Sequence, residues 1–101
     1  MSEYREDIIN MEVFSAELKK MAINTVNDMA RLHELHGELD SNTAKSAVTD
    51  AIGELNQIKE TLLQQSQTFQ YVADCLREAD DASRAHKEAE GLRRWHEGRV
   101  L

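Results

Sequence analysis

Proline is missing from all 101 residues, glycine occurs four times, cysteine once, and aromatic side chains make up only 5% of the chain. Each scarcity excludes something. Without proline, no position is barred from donating a backbone N–H to a helix, and a chain rich in Ala, Leu, Glu, Gln, Lys and Arg favours helix throughout. A single cysteine cannot close a disulfide within the chain; Cys75 is expected as a reduced, partly buried helix residue. With so few aromatics and a length suited to one domain, the core is modest. No apolar run approaches the about 18 residues of a membrane span. The opening "MSEYREDIINMEVF" is acidic and lacks the apolar stretch of an ordinary signal peptide. There is no glycine-rich phosphate loop, no G-x-S-x-G elbow and no Cys/His pair with a third member. The expectation is a binding protein, not an enzyme, with no catalytic residue and no cofactor.

Charge is unevenly spread. Residues 1–80 hold 7 basic and 15 acidic side chains, a balance of -8, and residues 81–101 hold 5 basic and 4 acidic, a balance of +1, which together make the net -7. An acidic body repels nucleic acid and anionic lipid, so neither is expected as a partner.

What is present is periodic. Ile8, Met11, Phe14 (or Ala16), Leu18, Met21, Thr25, Leu32, Leu35 and Leu39 follow a three–four rhythm broken at Asp28, with Val26 and Met29 beside it. That is a helix with one apolar face. Gly37 loosens its end, and Asp40, Ser41 and Asn42 are turn and cap residues. The second run is cleaner: Ala44, Val48, Ala51, Leu55, Ile58, Leu62, Gln65, Phe69, Val72, Leu76 and Ala79 keep a heptad seam with Gln65 as its polar position. Gly53 interrupts it, marking either the close approach of another helix or a solvent-facing site. Past Asp81 the pattern weakens, although Leu92 and Trp95 could form a short apolar patch.

These patterns predict an all-α, antiparallel two-helix hairpin over 1–85, with helices at about 5–39 and about 43–83 and a turn at 40–43, followed by a flexible or loosely docked tail over 86–101. Each arm of about 36–42 residues is about 55–60 Å long. Ile9, Val26, Met29, Ile52, Leu63 and Tyr71 fall outside the seam. A stripe that wide predicts that dimerisation, with a second copy or another chain, completes a four-helix bundle. The expected partner-binding residues are Val48, Leu55, Ile58, Leu62, Phe69 and Val72.

His33 and His36 form H-x-x-H near Glu34, Glu38 and Asp40. Two imidazoles three apart share a helix face and, with an acid, could hold zinc. The second helix supplies no matching histidine, and histidines at a helix C-terminus favour its dipole, so no metal is expected.

One stretch carries a resemblance. "VADCLREADDASRA" reads Val72-Ala73, then Leu76-x-x-x-Asp80, then Ala82 and Ala85. A proline-free hairpin of this size with such a stretch late in its second helix resembles the small helical substrates of type VII secretion, the WXG-type hairpins and the small helical proteins that accompany LXG toxins. In those families a short aromatic-x-x-x-acid signal, or a Phe-x-x-x-Asp form often preceded by Val-Ala, lies near the end of helix two. Here Leu76 stands where the family has Phe, the bend reads "GELDSNT" in place of Trp-x-Gly, the single Trp95 lies in "WHEG", and Tyr71 is followed four places on by Cys75. The resemblance implies a protein that pairs with the helical N-terminal region of a larger secreted toxin, or with a second copy of itself, and contributes to export, with Leu76 and Asp80 as its signal. It would reside in the bacterial cytoplasm before export and then be secreted. The alternative is a strictly cytoplasmic coiled-coil adaptor or chaperone, which the heptads support equally well.

Overall fold

The computed structural model describes residues 4–100, with side-chain surroundings through Glu88 and at Gly91. Leu92 and Trp95, with their expected apolar patch, lie outside the residues whose side chains are described.

Two helices make up the fold: α1 over Arg5–Glu38 and α2 over Asn42–Val100. They pack antiparallel into a rod of 91 × 14 × 14 Å, the all-α hairpin the periodicity predicts. The reversal takes three residues. Gly37 does not end α1; the helix stops because Leu39 turns extended (φ -87°, ψ 145°), with its N–H donating to the His36 carbonyl at 3.3 Å. Ser41 then caps α2, its hydroxyl accepting the Ala44 N–H at 3.3 Å, which occupies one of the first-turn donors that have no helical partner. Glu6 and Asp7 in the first turn of α1 and His36 in its last complement the helix dipole. The backbone of α2 continues as helix beyond residue 83, where the fading pattern places its end, and runs on to Val100. Residues 81–88 are exposed.

Two serines set the register. Ser15 Oγ donates to the Ser66 carbonyl at 2.9 Å, Ser66 Oγ donates to the Ser15 carbonyl at 2.9 Å, and the two hydroxyls lie 3.0 Å apart. A side chain as short as serine reaches the opposite backbone only where the helices come very close, at the low end of the about 8–10 Å range of helix separations. Ala22 and Ala73, 2% and 0% exposed, keep that approach one heptad away on each helix.

This close contact differs from the expected seam in one systematic way. Met11, Leu18, Thr25 and Leu32 of α1, Leu39 just after it, and Val48, Leu55, Leu62, Phe69 and Leu76 of α2 face the interface as the rhythm predicts. Over much of its length the alternate row is displaced by one residue in both helices, while Ile8, Ala44 and Ala51 keep the expected places. Ser15 and Ala22 are buried where Phe14 and Met21 were expected; Ser66 and Ala73 are buried where Gln65 and Val72 were expected. Buried Asp80 stands likewise in place of Ala79, and half-buried Lys59 in place of Ile58; Ala51 is half-buried as expected, with Ile52 beside it. Small residues win this row because they let both backbones approach, and each serine hydroxyl donates to the backbone carbonyl of the other instead of being left stranded. The bulky apolar residues are turned outward.

Gly53 lies in the body of α2 with open space where a Cβ would be, so it marks no close helix contact. Gly53→Ala is expected to stabilise the hairpin by about 0.5–1 kcal/mol, since alanine is the better helix former and meets nothing. A urea midpoint that fell instead would show that the site is crowded.

Candidate helix-docking face

In heptad letters, the buried row of α1 (Ile8, Ser15, Ala22) is a and the row of Met11, Leu18 and Thr25 is d; in α2, a is Ile52, Lys59, Ser66 and Ala73, and d is Leu55, Leu62, Phe69 and Leu76. In an antiparallel pair the two g rows then flank one side of the seam and the two e rows the other. The contacts agree. Arg77 and Glu12, both e, form the ion pair that bridges the helices on one side. Phe14, a g residue, lies against Phe69 on the other, ring centroids 6.3 Å apart at 44°.

The g side is where the apolar surface collects. Phe14 is 50% exposed, Met21 52%, Leu35 41%, Ile58 50% and Val72 37%. A notch of about 310 Å³ lined by Phe14, Glu17, Leu18, Met21 and Phe69 indents it. On α2 the g row joins the c row beside it into a second heptad stripe. This stripe runs through Ala44, Ala47 and Ala51, then Ile58, Thr61 and Gln65, then Thr68, Val72, Cys75, Ala79 and Ala82, and Glu54 is its only charge. At about 100° per residue its centre lies roughly 110° round α2 from the centre of the seam. That is near the right angle at which a helix in a four-helix bundle meets its second neighbour. The opposite side also exposes Ile9, Ile23, Val26 and Leu63, but Glu12, Lys19, Asn56, Gln70 and Arg77 are interleaved among them.

The six expected partner-binding residues therefore divide. Val48, Leu55, Leu62 and Phe69 are half-buried in the chain's own seam, whereas Ile58 and Val72 are exposed on the g side. Phe14, Met21 and Leu35 belong with that outer set. Their signal is the apolar rhythm of α1, which by itself places them in the seam.

Leu76 and Asp80 lie at the open end of the hairpin. Leu76 is half-buried. Asp80 is 7% exposed, and its carboxylate accepts a hydrogen bond from Arg84 at 3.0 Å. Around it a groove of about 710 Å³ is lined by residues that include Tyr4, Arg5, Ile9, Arg77, Asp80 and Lys87. Cys75 is exposed, four residues from Tyr71; a hydrogen bond with the Cys75 thiol, and then its charge, hold the Tyr71 hydroxyl above its ordinary pKa. His36 is half-buried in the seam and His33 exposed. No group of three or more His, Cys, Asp and Glu able to hold a metal ion occurs among the described residues, and none of their helices is long and apolar enough to cross a membrane. No family model, no curated protein and no solved structure matches this chain.

Proposed function

We propose that this protein is a small helical binding module whose outer apolar face seats the helices of a partner, completing a four-helix bundle. The observation that carries this reading is the outward row of Phe14, Met21, Leu35, Ile58 and Val72, between 37% and 52% exposed, on a rod only 14 Å thick. A face of about 50 Å by 14 Å offers roughly 700 Å², close to the about 800 Å² per partner of a standard interface.

The biological setting that best suits such a module is type VII secretion, with the partner being the helical N-terminal region of a larger secreted toxin. The supports are the proline-free hairpin, the bend at 39–41 and the Val72-Ala73…Leu76-x-x-x-Asp80 stretch late in α2. An address built on Leu76 and Asp80 would be read at the open end of the rod, through the groove around Asp80. The test is to follow the protein in the host cell and its medium. Export predicts recovery from culture supernatant, lost when the type VII apparatus is inactivated and lost again in Leu76→Ala with Asp80→Asn, with circular dichroism showing that the variant still folds. Confinement to the cytoplasm in every strain would reject export and leave the adaptor reading. Equal secretion of the variant would reject the address alone.

A further inference from the structure

The charges beside the outer face say what kind of helix it accepts. The hairpin's two long sides are electrically unlike. On the g side the g and c rows of both helices carry Asp7, Glu17, Asp28, Glu38 and Glu54, against Arg31 alone among the described residues. On the e side acids and bases nearly balance, and Arg77 pairs with Glu12 across the helices. Arg31 already lies against Asp28 at 4.0 Å, so the acids greatly outnumber the cations available to them. With Ser15 level with Ser66, residues whose numbers add to about 81 share a height along the rod. Asp28 and Glu54 therefore stand at about the same level, near the middle of the apolar face.

We infer that the occupant of this face is an amphipathic helix, or pair of helices, whose apolar stripe is bordered by lysine and arginine, and that it is not a second copy of this chain. This rests on the docking reading above and specifies the partner's chemistry. A second copy would press one acidic border against another and bring Asp28 and Glu54 into a closing interface with Arg31 as the one cation beside them. Like charges brought together and acids desolvated unpaired both oppose association. A basic border reverses both effects. It steers the encounter and supplies a charge-assisted bond to each acid as water leaves.

Two synthetic helices of about four heptads provide the test. Both have the same Leu/Ala stripe; one is bordered by Lys and the other by Glu. Fluorescence anisotropy of each, titrated with the intact protein at about 0.05 M salt, is expected to show the Lys peptide binding at least about tenfold more tightly. The difference should shrink at about 0.5 M salt, where charges more than about 4 Å apart are largely screened. It should also shrink in Asp28→Asn with Glu54→Gln. Met21→Gln with Ile58→Gln leaves the protein's charge unchanged and is expected to weaken the Lys peptide as well. Equal binding of both peptides would overturn the charge assignment while keeping the docking face. Lys-peptide binding indifferent to Met21→Gln with Ile58→Gln would overturn both. A dimer of the protein itself at low micromolar concentration in sedimentation velocity, not displaced by the Lys peptide, would make the second copy the occupant and overturn the inference.

Discussion

Ser66→Leu is expected to cost the hairpin about 3–5 kcal/mol. Ser66 is 0% exposed and Ser15 opposite it is 1% exposed, with each hydroxyl donating to the other's carbonyl across the tightest part of the seam. A leucine there has nowhere to go. Overpacking costs about 1–3 kcal/mol or more, and forcing the helices apart leaves the buried Ser15 hydroxyl without its partners, a further 1–3 kcal/mol, roughly. Ala22 and Ala73, which depend on the same close approach, lose packing as well. Against a total stability of about 5–15 kcal/mol, this is a large fraction, and the urea midpoint should fall by roughly a third to a half or more. Ser66→Ala removes one hydroxyl without adding bulk and should cost only about 1 kcal/mol. A Ser66→Leu protein within about 1 kcal/mol of the parent would mean that the helices are not held at serine-to-backbone distance.

The second large effect separates binding from folding. The expected interface joins Ile58 and Val72 with Val48, Leu55, Leu62 and Phe69, but these two are exposed on the g side while the other four are half-buried in the seam. Ile58→Gln with Val72→Gln should leave unfolding free energy within about 0.5 kcal/mol of the parent, as exposed substitutions do. Association with a helical partner should nevertheless fall by about 10- to 80-fold. Complete burial of such side chains is worth about 1.5–3 kcal/mol each. Ile58 is 50% and Val72 37% exposed in the free hairpin, so the pair has about 1.3–2.6 kcal/mol left to contribute. Leu62→Ala should do the reverse. It costs the hairpin about 2 kcal/mol through the seam and leaves partner affinity of the folded molecules almost unchanged. If Ile58 and Val72 unfold the chain and Leu62 does not, the assignment of rows is inverted.

Exposed Cys75 offers a simple reporter of the same face. It lies in the c row beside Val72 and should react freely with a thiol reagent in the free hairpin and slowly once a partner helix covers that stripe.

The amino-acid sequence by itself determined the two long helices, the site of the reversal and one complete row of the seam. A proline-free chain rich in helix formers has no competing local structure, the run Asp40-Ser41-Asn42 can satisfy the ends that two helices leave open, and the leucine-rich row through Leu55, Leu62 and Leu76 is apolar enough to be read unaided. Only the tertiary structure decided the other row. Around a helix, row d is flanked at equal angles by a and g, so either completes a valid heptad seam. Hydrophobicity favours g, with Phe14, Met21, Ile58 and Val72; the packed pair chose a, with Ser15, Ala22, Ser66 and Ala73. The value of a small residue at such a position depends on the backbone opposite, and the reciprocal serine bonds exist only once both helices are present. That choice turned the larger apolar side chains outward and made them available to a partner.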